Sequence, residues 1–327
     1  MDERLSLLKQ WLSDVIELEG FELAMASGDA SFRRYFRLTQ SGMPSRIVMD
    51  APPPQEDCRP FAEMTARLRD AGVHAPEILA MDLEQGFMVL EDFGDATLLP
   101  NLTQESADQL YGSAMTSLLT FQQSAKTENL PAYDEPMLMR EMQLFPDWLL
   151  EKHLDLKLSD DSKKMLARTF NALTEAALEQ PKVFVHRDYH SRNLMLLSDN
   201  SLGVIDYQDA VLGPVTYDLV SLLRDCYIAW DDALVSRWCH AYLEGAIATG
   251  VMNETHRLRF KRWFDWMGVQ RHLKASGIFA RLNHRDGKPG YLGDIPRTLN
   301  YIVNVGKQYE ELMPLSEFVS RRVLPAL

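Results

Sequence analysis

No stretch of this 327-residue chain offers the ~20 consecutive apolar residues that a helix needs to span a bilayer, which excludes a conventional membrane span. Cysteine is scarce: Cys58, Cys226 and Cys239 form no C-x-x-C pair, so neither a disulfide framework nor a cysteine zinc site is supported, and reduced thiols in a cytoplasm are expected. Basic residues are outnumbered, 34 Lys and Arg against 47 Asp and Glu, and the net charge of −13 opposes the counterion displacement on which nucleic-acid binding depends. The first residues, MDERLSLLKQWLSDVIELEG, lack the uninterrupted apolar run of a secretory signal; Leu5, Leu8, Leu12, Val15 and Ile16 recur at helical spacing instead. Lysine is missing from everything between Lys9 and Lys126. With 46% hydrophobic residues, the chain has enough apolar content for one large core or two lobes.

After the amphipathic first helix, short alternating runs predict strands over 21–26, 32–38 and 46–50, an antiparallel meander ended by Pro52, Pro53 and Pro54, which lack a backbone donor. A helix follows over 56–71, then strands over 78–82 and 87–91, for about five strands in all. From Thr103 the periodicity is helical, near 103–124, 136–153, 160–179, 216–228, 231–248, 254–283 and 294–312. A β-rich insert, VFV, LMLL and LGVID, interrupts it between Val183 and Asp206. The expected fold is α+β: residues 1–93 form an N-lobe with a small antiparallel sheet, residues 94–327 a larger helical C-lobe, and a ligand cleft lies between them.

The insert carries Val185-His186-Arg187-Asp188-Tyr189-His190-Ser191-Arg192-Asn193, which fits H-R-D-x-x-x-x-N at every specified position. A hydroxyl attacking a phosphoryl group must shed its proton near the transition state, a task for a carboxylate such as Asp188. A carboxamide five residues on, Asn193, offers a hard oxygen to Mg²⁺ without adding charge. Gly203-Val204-Ile205-Asp206 sets a second oxygen ligand at the end of an apolar strand. An isolated Asp before a polar loop is ordinarily a turn or cap residue, and Asp209 reads that way; the full set at this spacing does not. The expected reaction is transfer of phosphate from ATP to a hydroxyl.

The run VHRDYHSRN…GVIDYQDAVLGPVTYDL resembles the aminoglycoside phosphotransferase and choline kinase superfamily, and the resemblance spans nearly the entire chain. It implies a protein-kinase-like bilobal fold, Mg²⁺ as cofactor, and supporting roles for His186, Arg187, His190 and Asp218, the last bracing the catalytic loop. Within the superfamily, GDASFRRYFR, the lysine-free IVMDAPP strand and MGVQRHLKASGIFARLNHRDGKPGYLGDIPRTLNYI resemble its bacterial amino-sugar branch, which acts at C1 of N-acetylmuramate and N-acetylglucosamine in cell-wall recycling. Another small-molecule hydroxyl, as in an aminoglycoside, or a nucleotide-binding protein without catalysis are the alternatives. The implied partners are ATP and a small amino sugar, with no nucleic acid, membrane or protein partner.

For the nucleotide, Gly28 and Ser31 in the hairpin are candidate phosphate donors, and Arg33, Arg34, Arg37 or Arg46 must supply the cation that the missing lysine would. Strand alternation sets Arg33 and Arg37 on one face and Arg34 on the other. The resemblance makes 88–95 a hinge whose Glu91 and Phe93 backbone meets the adenine. Glu63, without its lysine, reads as solvated or locally paired. For the acceptor, the carboxylate of N-acetylmuramate asks for a cation. Arg271, His272, Lys274 and Arg281 on the 254–283 helix are the candidates, set against an ordinary solvated basic face; Trp263 and Trp266 nearby read as core.

Overall fold

The computed structural model describes residues 2–14, 17–28, 32–53 and 55–327. The chain divides into two compact units: Met1–Ala96 with Met195–Asp209, and Thr97–Leu194 with Ala210–Leu327.

In the first unit, α1 (Glu3–Asp14) lays Leu8, Trp11 and Leu12 on a five-stranded antiparallel sheet, where they meet Phe36, Leu38, Val48, Phe87 and Val89. The strands are β1 (Phe21–Gly28), β2 (Arg34–Gln40), β3 (Arg46–Asp50), β4 (Ile78–Asp82) and β5 (Phe87–Glu91), in the order β1-β2-β3-β5-β4. β3 to β5 keep the expected bounds. β2 starts two residues late, at Arg34, and α2 (Arg59–Asp70) starts at Arg59 rather than 56, with Pro60 in its first turn where a missing N–H costs nothing.

Residues 195–209, expected in the helical lobe, belong to this first unit. The Val204 N–H donates to the His74 carbonyl at 2.9 Å, and Gly203 lies so close to the Phe93 ring that a Cβ there would come within 2.5 Å of it. The expected division at residue 94 therefore shifts: the insert is split, β7 (Leu194–Leu196) and β8 (Leu202–Val204) pairing with each other while β6 (Lys182–Val185) pairs with an unanticipated β9 (Val211–Pro214) in the second unit.

The second unit is helical: α3 (Ala107–Ser124), α4 (Glu135–Met142), the wide π-helical segment Phe145–His153, α5 (Asp160–Leu178), α6 (Tyr217–Leu223), α7 (Asp232–Ala248), α8 (Arg257–Asp286), α9 (Ile295–Gly306) and α10 (Met313–Phe318). Side-chain caps begin two of them, Asp134 accepting from Met137 N and Ser159 from Ser162 N. The helix expected over 136–153 breaks in two after Met142, and α10 was not foreseen. α8 outruns its expected end at 283 because its stop is Gly287, in the left-handed conformation at φ 65°. Trp263 and Trp266 are core, 1% and 2% exposed. Among the described residues no helix is long and apolar enough to cross a membrane.

α8 passes against the chain at Leu144, and Gly277 makes the approach possible: a Cβ there would sit 2.3 Å from the Leu144 carbonyl carbon. Gly112 in α3 has nothing within 4 Å of the same position. One substitution should therefore act with opposite signs. Gly112→Ala should raise stability by about 0.5–1 kcal/mol through helix propensity, and Gly277→Ala should lower it by about 1–3 kcal/mol through overpacking; urea unfolding of the two variants measures both.

Candidate active site

In the second unit, β6 delivers the chain to His186 and a tight loop follows. Arg187 takes a left-handed backbone at φ 78°, a conformation that costs a residue with a side chain about 1–2 kcal/mol. The Asp218 carboxylate, fully buried at the start of α6, holds it there, accepting the His186 N–H at 2.7 Å and the Arg187 N–H at 3.0 Å. Burial pushes Asp218 up to about 7, and the nearby charge of Asp188 adds to this against the pull of the two N–H donors and Arg271. Further on, the Asp188 carbonyl accepts from His190 N and Asn193 Nδ2, each at 3.0 Å, and the Asp188 N–H donates to His186 Nδ1 at 3.2 Å. Asp225 accepts the N–H and hydroxyl of Ser191. Tyr189 hydroxyl anchors the loop to α3 through the Ala114 carbonyl, 2.8 Å away.

Asp188 is half-buried. Burial works to raise its pKa, but Lys274, His190, Arg187 and Arg271 outweigh it and hold the carboxyl below the usual range. Burial also pushes His190 itself down, so this imidazole stays neutral and the lasting charges around the base are Lys274, Arg187 and Arg271. The carboxylate is thus ionised and ready to accept a proton at neutral pH.

The cations are themselves balanced. Buried Glu141 in α4 takes an Arg187 Nη2 hydrogen bond on Oε1, the Lys274 ammonium at 3.2 Å on the same oxygen, and the Tyr133 hydroxyl on Oε2. Lys274 also donates to Tyr217 hydroxyl at 2.9 Å, and Gln270 donates to Tyr133 hydroxyl at 3.1 Å. Arg271 and Lys274 therefore stand on a buried face, not a solvated one, with 5% and 6% exposure. Of the four basic residues proposed for the acceptor, these two gather beside Asp188. His272 turns to the Arg224 carbonyl at 2.9 Å and stacks on Tyr301, where burial, with Arg271 beside it, pushes it down to about 3. Arg281, half-buried further along α8, has Arg285 and Asp286 as its charged neighbours.

The residues expected to meet the nucleotide and the second metal ligand lie in the first unit. Asp206 follows β8 with a left-handed backbone at φ 66°, and its Oδ1 accepts from Gln208 Nε2 at 2.9 Å. Asp209 is exposed. Asn193 and Asp206 each carry a hard oxygen, the donor type that suits a divalent cation, and the Asn193 amide donates an N–H to the Asp188 carbonyl. The Glu91 N–H donates to the Glu77 carbonyl at 2.9 Å, so only its carbonyl remains for a ligand, while the Phe93 ring packs edge-on against His74. Gly28 ends β1, and Ser31 lies outside the described residues. Arg33 pairs with Glu56 at 3.1 Å, Arg34 with buried Asp50 at 3.0 Å, and Arg37 with Asp92 and Asp95 at 2.7 and 2.8 Å. Glu63 pairs locally with Arg67 at 2.6 Å.

Sequence reasoning missed Glu141, Tyr133, Gln270 and Asp225, which are separated from Asp188 by 37 to 82 positions and carry no local pattern. A strained HRD loop braced from a buried Asp, in an α+β chain with a five-stranded antiparallel sheet, defines the protein-kinase-like phosphotransferases that act on small molecules. The chain belongs to the phosphotransferase enzyme family, whose model matches residues 22–260. It is 47% identical to a Pseudomonas aeruginosa protein named N-acetylmuramate/N-acetylglucosamine kinase, over 98% of this chain and 97% of that one. A Pseudomonas putida protein of the same name is 45% identical, over 98% and 96%. Among solved structures, Plasmodium vivax ethanolamine kinase shares the fold at 12% identity, with a TM-score of 0.64 over 91% of this chain and 93% of that one.

Two outcomes follow from this geometry. Asp188→Asn should keep the fold and lower turnover by ~10² or more, since base catalysis contributes about 10²–10⁴; steady-state kinetics beside a thermal melt would measure it, and unchanged turnover with chemistry rate-limiting removes Asp188 from the base role. Burial acts to raise Glu141, but Lys274 and Arg187 prevail and hold it low. A depressed folded pKa gives stability that is present above the unfolded value of about 4.3 and lost as pH falls through the folded one. Glu141→Gln should therefore cost about 3–5 kcal/mol at pH 7, with the gap to the parent narrowing below about pH 4 in urea titrations.

Proposed function

We propose that this protein transfers the γ-phosphoryl group of ATP to the C1 hydroxyl of N-acetylmuramate and N-acetylglucosamine, as a step in cell-wall recycling. The observation that carries the reading is the near full-length identity of 47% to a protein of that name, joined to an intact catalytic loop in this chain. The cationic surroundings of Asp188 add to it. Lys274, Arg187 and Arg271 suit a neutral or acidic sugar, whereas a polycationic aminoglycoside asks for carboxylates.

In the reaction Asp188 accepts the proton of the sugar O1 as the bond from O1 to Pγ forms and the bond from Pγ to the bridging oxygen of ADP breaks. The products are the sugar 1-phosphate and ADP, and the proton leaves Asp188 for solvent. Asn193 and Asp206 would each offer an oxygen to Mg²⁺, which would supply neutralisation of the phosphate charge. Arg187 and Lys274, balanced by Glu141, keep Asp188 ionised; His186, His190 and Asp218 keep the loop in shape. For the nucleotide we assign the Glu91 carbonyl and Phe93 N–H to the adenine edge and Gly28 and Ser31 to the phosphates. Arg33, tied to Glu56, serves the phosphates only by exchanging that partner. Of the α8 cations, Arg271 acts on the acceptor side through Asp188, with Asp225 and Asp188 balancing its own charge; Lys274 is held by Glu141 and Tyr217, and His272 is neutral.

Free N-acetylglucosamine and N-acetylmuramate should consume ATP and yield 1-phosphates, and their methyl glycosides should not react. Methylation removes the one oxygen that attacks and spares every other hydroxyl and the N-acetyl group. Coupled ATP-consumption assays with phosphate mapping by NMR decide it: turnover of the glycosides, or phosphate on any oxygen but O1, refutes attack at C1 and leaves the phosphotransferase assignment intact.

A further inference from the structure

The catalytic loop carries one more cation, Arg192, four positions beyond the base. Its neighbours are both anchored, Ser191 to Asp225 and Asn193 to the Asp188 carbonyl, so the Arg192 backbone is fixed relative to the base. The side chain is exposed, and it forms no ion pair with any described residue. Arginines close by are already answered: Arg187 by Glu141, Arg224 by Asp265 and Arg297 by Asp294. Arg271 is buried against the Cys226 thiol, 3.5 Å away, with Asp225 and Asp188 balancing its charge.

Arg192 is nevertheless held in place. Its guanidinium carbon lies 3.6 Å from the centre of the Tyr227 ring and 5.8 Å from that of Tyr291. Tyr227 packs edge-on against His190 at 5.3 Å and lies tilted against Phe279 at 6.2 Å, and Phe279 stacks on Tyr291 at 5.7 Å. A guanidinium lying on an aromatic face uses its π surface for that contact and keeps its N–H groups, which point outward in its own plane, for a second partner. A carboxylate approaching edge-on can accept two of them at once. The two amino sugars differ in one charged group, the carboxylate of the lactyl ether on O3 that N-acetylmuramate has and N-acetylglucosamine lacks.

We propose that Arg192, propped on Tyr227, receives the acceptor's lactyl carboxylate and so sets the preference between the acidic and the neutral amino sugar. The assignment rests on the amino-sugar reading above. Arg192 is then a specificity-determining residue on the same loop as the base, with its guanidinium laid on the Tyr227 ring.

The test is the ratio of kcat/KM for N-acetylmuramate to that for N-acetylglucosamine in the full-length protein and its Arg192→Lys, Arg192→Gln and Arg192→Glu variants. Any loss from a disturbed loop falls on both sugars and cancels in the ratio. The ratio should fall at least about tenfold in Arg192→Gln, as expected for loss of a charge-assisted pair, further in Arg192→Glu, and less in Arg192→Lys, which keeps a point charge. Raising the salt concentration should draw the parental ratio toward that of Arg192→Gln by screening. A ratio unchanged within about twofold in both Arg192→Gln and Arg192→Glu overturns the assignment while leaving the amino-sugar reading in place. A parent that phosphorylates neither sugar overturns both.

Discussion

The Asp218 carboxylate is the fixed point of the functional unit. By accepting two successive backbone N–H groups it holds Arg187 in a backbone conformation that a side chain disfavours, and that twist sends the chain from β6 into the loop bearing Asp188. Two backbone hydrogen bonds contribute about 0.5–1.5 kcal/mol each, more where the acceptor is ionised, which is enough to match the strain they offset. The arrangement is costly to bury, as the raised pKa of Asp218 records, and it is sustained by the packing of α6, every residue of which is buried. The same loop geometry then lets one carbonyl, that of Asp188, organise His190 and Asn193.

Around this point the charges are arranged in alternation. Glu141 bridges Arg187 and Lys274, leaving net positive charge; those cations with Arg271 hold Asp188 ionised; the charge of Asp188 in turn adds to the rise of Asp218. A buried group of this kind adds little net stability over apolar packing, but removal of any one member leaves an uncompensated charge in a low-dielectric interior. Its consequence is the protonation state of Asp188.

Much of this was legible in the sequence where the signal is local. The HRDxxxxN spacing placed Asp188 and Asn193 on one loop, and the turn residues around 82–87 and 40–45 bounded β2 to β5 within two residues. What was not legible depends on distant pairing. β9 is four residues with no alternation of its own and exists because β6 pairs with it; residues 195–209 join the sheet unit through distant contacts, among them the Val204 N–H on the His74 carbonyl, the fit of Gly203 against Phe93 and the Tyr207 hydroxyl beside Thr65. The basic residues of α8 illustrate the limit most clearly. Their spacing showed that Arg271 and Lys274 share a face, yet the choice between solvent and interior turned on Glu141, more than a hundred residues away, with nothing in its surroundings to announce it. The arginines around β2 repeat the lesson: alternation separates Arg34 from Arg37, but the partners Asp50 and Asp92, like Glu56 for Arg33 just before the strand, come from other segments.

α8 also constrains how this protein can diverge. Gly277 fixes the helix against Leu144, and within the preceding turns lie Lys274, His272, Arg271 and Gln270, each committed to a different neighbour. An insertion or deletion of one residue inside this stretch rotates everything on one side of it by about 100° relative to the other, so no single length change keeps both the helix contact and the cation beside Glu141. Side chains here can drift one at a time while the count of residues between them cannot. A length change beyond Gly287, where the helix has already ended, leaves the register within α8 intact.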